Sequence, residues 1–267
     1  MNNVRQKIEE YFPSLLFLIF SIFFWEWYVK SGYVSDYLIP APSAVGLSFL
    51  EHISILPDHI FTTMLEALVG LFFAVVVGVL IAVFIAGIPF IRRVLYPLIG
   101  VSQNIPILAL APLLAVWFGF GLAPKVIIVV LIGFFPIVVN TTDGLMNADK
   151  DMVSLVRGLG GNRWQVFRLV LFPSAVPAFF SGLRIASAYA VIGAVIAEWM
   201  GASSGLGLFL IRSQRSFQTD QIFMAIVVIA MLSISLFLSI QVLSNVAMPW
   251  RKTLVDLGEN KFKGEKK

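Results

Sequence analysis

Long apolar runs separated by short polar breaks dominate this chain. A helix needs about 20 mostly apolar residues to cross a bilayer. Six stretches meet that pattern and predict spans over 12–30, 61–86, 94–118, 124–143, 179–200 and 221–247. The second lies in a charge-free run from Ala67 to Ile91, the third in another from Val94 to Pro124. That run is too long for one helix and breaks at Gly119-Phe120-Gly121, while Pro106 and Pro112 kink the span before it. The fifth stretch contains Arg184 and Glu198, which can snorkel if they lie near opposite membrane faces. The expected fold is an all-α integral membrane protein of about six transmembrane helices. It forms one domain over 1–267, with its core at 60–248. In the long loop at 31–59, Pro40 and Pro42 break the chain and Ser43 caps a short interfacial helix.

Composition agrees. The chain is 59% hydrophobic and 13% charged, where soluble domains carry about 25% charged residues. It has no cysteine, which excludes disulfides, thiolate metal sites and cysteine nucleophiles. Its two histidines, His52 and His59, read as loop residues, and no metal site is expected. Arg5 and Lys7 precede an apolar run from Tyr11 to Trp25, but Glu26, Trp27, Tyr28 and Lys30 follow in place of a small-residue cleavage site, so the first span is read as uncleaved.

The net charge of +4 is spread unevenly, which bears on orientation and not on nucleic-acid binding. Arg5, Lys7, Arg92, Arg93, Lys150, Arg157, Arg163, Arg168 and the basic tail at 249–267 fall on one side. The other side has Lys30, Lys125, Arg212 and Arg215. The positive-inside rule makes the richer side cytoplasmic. It holds both termini (1–11 and 249–267) and the segment 144–178.

That segment departs from the greasy pattern. Met152, Leu155, Val156 and Leu159 form one apolar stripe on a three-turn helix. Asp149 and Asp151 suit its start and Arg157 its end. Gly160-Gly161 stops it. Asn162 and Gln165 then form a capping box for a second helix that ends near Pro173. A helix this short needs a packing partner. It packs on the protein's own cytosolic ends or the lipid interface, or it docks to a cytosolic protein.

Other polar and small residues stand out. Gly182, Ala186, Ala190 and Ala194 recur every fourth residue, a ridge that lets helices approach closely. It packs within one subunit, or lines a dimer seam or pore. Gln103, Asn104 and Asn140 lie near or within spans, where polar groups face protein or a water-filled path. Glu198, at the end of the ridge, reads first as a solvated carboxylate and second as a gate.

On these residues the chain resembles the permease subunits of bacterial ABC importers. The helix-hinge-helix segment is similar to their EAA loop. Ser154-Leu155-Val156 stands at the EAA letters, Gly160 at the glycine and Phe172-Pro173 at the closing pair. The letters depart from the pattern, since Ser154 replaces the acidic residue. The stretches "LIPAPSAV", "NIPILALAPLLAVWFGFG", "FFPIVVNTTDGL" and "EWMGASSGLGLFL" resemble the nitrate, sulfonate, taurine and thiamine-precursor branch.

The resemblance implies a type I importer permease in a prokaryotic inner membrane. It is a transport subunit and not an enzyme, and it acts for a small nutrient of the sulfonate or taurine, nitrate or thiamine-precursor pyrimidine class. Two permease copies, as a homodimer, form the pathway above two copies of a separate ATPase. That ATPase binds ATP and Mg; this chain binds no cofactor and has no phosphate loop of its own. Met152, Leu155, Arg157, Leu159 and Gly160 would form the ATPase-coupling surface. An extracytoplasmic binding protein would touch loops near 31–59 and 201–220. The alternative is a secondary transporter or a channel not driven by ATP, against which stand the thin set of intramembrane polar residues and the lack of a repeat or filter loop.

Overall fold

A computed structural model describes residues 2–249, with side chains from Phe12 onward. The basic tail and the side chains of Arg5 and Lys7 lie outside the described residues. The described residues form helices throughout: α1 (Asn2–Lys30), α2 (Pro42–Glu51), α3 (Leu56–Gly87), α4 (Pro89–Ser102), α5 (Ile107–Phe118), α6 (Leu122–Met146), α7 (Lys150–Gly158), α8 (Arg163–Val166), a π turn (Phe167–Leu171), α9 (Phe172–Glu198), α10 (Leu206–Arg215) and α11 (Thr219–Ala247).

Five continuous helical stretches are long and apolar enough to cross a membrane, and the bent pair α4–α5 makes a sixth if counted as one span. The third span is therefore not the single kinked helix read from 94–118. It breaks at Gln103–Pro106 and turns by 100°. Proline forces this: the residue before it is pushed out of the helical region, and Pro106 itself has ψ 107. The same device ends α3, where Ile88 before Pro89 is extended. Pro112 stays within α5, and α5 ends at Gly119, which has φ +77.

The fifth span also differs from expectation. The helix after the capping box does not stop at Pro173. It runs on from Arg163 to Glu198 as one 36-residue stretch, about 54 Å at 1.5 Å per residue. The Phe172 N–H bonds to the Phe167 carbonyl five residues back. This wider turn makes room for a proline ring that would otherwise clash with the carbonyl four residues behind it.

The core lies where α3, α6, α9 and α11 meet. Ala67, Leu71, Ala74, Val129, Ile137 and Leu183 are among its buried members, with Leu236 from α11. Small residues bring these helices together. Gly70 sits against Val129 and Gly78 against Ile137, so α3 and α6 touch backbone to side chain. Outward faces are apolar too: Phe72, Val76, Phe237 and Val246 are exposed, as a lipid-facing surface requires. At the margin, α1 is tied to the rest by Glu26, which accepts from Ser43 of α2, and by Trp25, which packs on Phe223 of α11.

Candidate functional site

Three features lie along this bundle: a hinged helix at one end, a cavity beside the broken span, and a buried polar cluster at the opposite end.

Asp149 begins the hinged segment. Its carboxylate accepts from the Asp151 N–H at 2.8 Å and the Met152 N–H at 3.4 Å, which satisfies two donors left open at the start of α7. Ser154 is turned onto its own helix, donating to the Lys150 carbonyl at 2.9 Å. Gly160 has φ +84, the left-handed conformation that glycine adopts freely at a helix end. The capping box is formed: Asn162 Oδ1 accepts from the Gln165 N–H at 2.9 Å, and Gln165 Oε1 accepts from the Asn162 N–H at 2.7 Å. No residue of α7 is buried. Met152, Leu155 and Leu159 are 48%, 56% and 80% exposed, and Arg157 is exposed at the same end. Among the described residues these side chains of the stripe lie open to solvent, while Val156 is half-buried beside Gly161.

A cavity of about 500 Å³ lies where the α4–α5 break meets α6 and α9. Gln103 and Asn140 both line it, with Ser102 and Tyr189. The Asn140 amide donates to the Pro136 carbonyl at 2.8 Å, leaving its oxygen for other partners. Asn104 is absent from the lining; its amide donates to the Val101 carbonyl at 3.3 Å and supports the turn. Among the described residues no charged side chain lines this cavity.

The ridge of Gly182, Ala186, Ala190 and Ala194 is used inside the chain. All four are buried in the core, and a Cβ on Gly182 would collide with the Pro136 carbonyl oxygen. Of the two roles left open for the ridge, packing within the subunit is the one this geometry serves. A seam with a second copy needs exposed surface, which the ridge does not have.

Glu198 does not lie where its place at the end of the ridge suggests. It is neither solvated nor part of the cavity, but 1% exposed. Its Oε1 accepts from Thr63 Oγ1 at 2.6 Å, and its Oε2 accepts from the Gly207 N–H. Thr63 Oγ1 in turn accepts from the Leu206 N–H at 2.9 Å. His59 Nδ1 lies 2.9 Å from both the amide nitrogen and the carbonyl oxygen of Gly205. Thr62 and Ser204 share a hydroxyl hydrogen bond of 2.6 Å. One turn further along α3, Glu66 pairs with Lys125 of α6 at 2.5 Å, and both side chains are buried.

Arg184 is half-buried and bonds Gln241 of α11 and the Phe180 carbonyl. The histidines are not loose loop residues. His52 holds the Ser48 carbonyl and Gln221, and His59 joins the cluster around Glu198. Ser43 is not the cap of α2: Ala41 occupies that position, and Pro42 opens the helix. Sequence reasoning missed Thr63, Glu66 and Gly207. Thr63 and Glu66 have partners 135 and 59 residues away, while Gly207 is held from only nine residues back by a backbone bond that leaves no side-chain signal; the one available signal was an acidic residue inside an otherwise apolar helix.

The family of binding-protein-dependent transport system inner membrane components matches residues 74–247. The chain belongs to this family. It is the permease subunit of a binding-protein-dependent ABC importer, a multi-pass membrane transport subunit and not an enzyme. The formylaminopyrimidine transport permease protein ThiX of Halalkalibacterium halodurans is 36% identical over 242 residues, covering 90% of this chain and 96% of that one. The riboflavin transport system permease protein RibX of Chloroflexus aurantiacus is 32% identical, covering 89% of each. The taurine transport system permease protein TauC of Escherichia coli is 31% identical over 72% of this chain and 70% of its own. A crystal structure of an amino acid ABC transporter with histidines superposes with a TM-score of 0.56 at 21% identity, covering 74% of the permease and 96% of that chain. At that identity the likeness concerns the fold. Members of such importers work with an ATPase and a solute-binding protein.

Proposed function

We propose that the permease pairs with a second copy of itself in a prokaryotic inner membrane, above two copies of a separate ATPase. Both termini and α7 lie in the cytoplasm, and the chain is one permease domain with its core at 60–248. Met152, Leu155 and Leu159 fill an apolar groove of the ATPase, Arg157 makes a polar contact at its edge, and Gly160 sets the angle at which α7 leaves the bundle. ATP and Mg are bound by the partner, and this chain holds no cofactor.

One observation carries this reading. A capped helix presents Met152, Leu155 and Leu159 to solvent, and its hinge leads into a helix that crosses the whole bundle. A stripe exposed at that cost calls for a partner, and a rigid continuous helix carries motion from the docking site into the membrane.

Solute crosses between the two copies, past Gln103 and Asn140 in the 500 Å³ cavity. Asn104 belongs to the pathway only through the turn it supports. A binding protein delivers the solute to the end that carries α2 and α10. The solute is a small nutrient of the sulfonate or taurine, nitrate or thiamine-precursor pyrimidine class. Among the three relatives named above, the one aligned over the greatest share of both chains is named for formylaminopyrimidine, so that class is the first to test.

Purification of the chain from its native membrane in mild detergent, with partners identified by mass spectrometry, tests the reading. The native chain brings down an ABC ATPase and Gly160→Val does not. Absence of any ATPase with the native chain would refute it.

A further inference from the structure

Two long helices in this chain end in a carboxylate that reaches forward to hold the next helix. Glu26 near the end of α1 accepts from the N–H and hydroxyl of Ser43, at 2.9 and 2.7 Å, in the first turn of α2. Glu198 at the end of α9 accepts from the Gly207 N–H in the first turn of α10. Their settings differ. Glu26 also pairs with Lys30, which is largely exposed. Glu198 is sealed from solvent and has both oxygens engaged.

The first turn of α10 has no cap of its own. Gly205 stands at that position with φ +126 and no side chain. Its two leading amides are satisfied from other helices: Leu206 by Thr63 of α3, and Gly207 by Glu198 of α9. Glycine is required at both flanking positions. A Cβ on Gly205 would collide with the Glu198 carboxyl group, and one on Gly207 would collide with the Val195 carbonyl. A single carboxylate thus joins three helices in a space with no slack. The Glu66–Lys125 pair, within electrostatic reach of Glu198, ties the same part of α3 to α6.

The helix that ends in Glu198 begins at Arg163, three residues beyond Gly160. We infer that Glu198 is the outer end of the coupling lever: it hands the movement of this helix to α10 and to the adjoining part of α3, and so moves the extracytoplasmic mouth. The inference rests on the docking role proposed for α7. Glu198 is a positioning residue in this scheme, since it lies apart from the cavity lined by Gln103 and Asn140.

The absence of cysteine makes the test direct. Single cysteines are placed at exposed Gln214 on α10 and exposed Ser154 on α7, in the complex purified with its ATPase. Maleimide labelling rates are compared with and without ATP, Mg and vanadate to trap the closed ATPase. In the parent, trapping changes both rates. In Glu198→Ala the change at Ser154→Cys persists, basal ATP hydrolysis stays within about twofold, and the change at Gln214→Cys falls at least tenfold. Thr63→Val gives the same split and Thr63→Ser restores the response. A purely architectural Glu198 would lower basal hydrolysis and the α10 response together, and that result would count against the inference. A full response at Gln214→Cys in both Glu198→Ala and Thr63→Val would overturn it. If Glu198→Ala does not assemble, the Thr63 pair decides. No response at Ser154→Cys in the parent would overturn the docking role itself, and this inference with it.

Discussion

Gly182 on α9 packs directly on the Pro136 carbonyl of α6. Any side chain there has to push the two central helices apart. Overpacking of this kind costs about 1–3 kcal/mol, and more where backbone is the obstacle. Gly182→Leu therefore fails to give a stable, monodisperse protein in detergent, and Gly182→Ala gives one with a lowered melting temperature. Gel filtration and a thermal melt check this. An unchanged melt for Gly182→Leu would mean that α9 and α6 do not meet as described.

The pair Glu66–Lys125 is buried, and Glu66 Oε2 has no hydrogen-bond partner among the described residues. Removing one member of a buried pair costs about 3–5 kcal/mol, while replacing both with apolar residues of similar volume is often neutral. Lys125→Met alone lowers the melting temperature sharply. Glu66→Leu with Lys125→Met recovers most of the loss. The double-mutant cycle on purified protein reads the coupling, and simple additivity of the two losses would contradict it.

At Gly160 the space is open, with no atom of the described residues within 4 Å of where a Cβ would sit, but φ is +84. The cost of a side chain is thus in the backbone alone, about 1–2 kcal/mol. Gly160→Asn is tolerated best, Gly160→Ala less and the β-branched Gly160→Val least. Asp149→Ala removes the cap at the other end of α7, for about 1 kcal/mol. Recovery of the ATPase from membranes follows that order. Equal recovery across the Gly160 series would show that the hinge conformation is unimportant.

These local features were legible in the sequence because each rests on neighbours in the chain. Asp149, Gly160 and the Asn162–Gln165 box act within four residues, and the structure places them as caps and hinge. The apolar runs likewise marked most of the spans. What failed depended on distance or on context. Pro173 predicts a stop, yet a π turn carries the helix past it. The apolar run of the third span predicts one helix, but Gln103–Pro106 turns the chain through 100°. Ser43 has the side chain of a cap, although Glu26, 17 residues earlier, is what holds it. Glu198 looks solvated in the sequence because its partner Thr63 is 135 residues away.

Asn140 and Gln103 line the cavity without forming part of the α7 hinge. Their variants separate transport from docking. Asn140→Leu and Gln103→Leu lower ATP-driven uptake at least tenfold in proteoliposomes while ATPase recovery is unchanged. Asn104→Ala has a smaller effect, through the turn. Normal uptake in Asn140→Leu would place the pathway elsewhere.

The most direct measurement uses the same freedom from cysteine. Leu155→Cys and Leu159→Cys are placed on the exposed stripe, and Phe120→Cys on an exposed site between α5 and α6, away from α7. Each is treated in native membranes with a short thiol-to-amine crosslinker. Adducts one ATPase subunit larger should form at 155 and 159 and not at 120. No adduct at either α7 position, or equal adducts at all three, would contradict docking through α7.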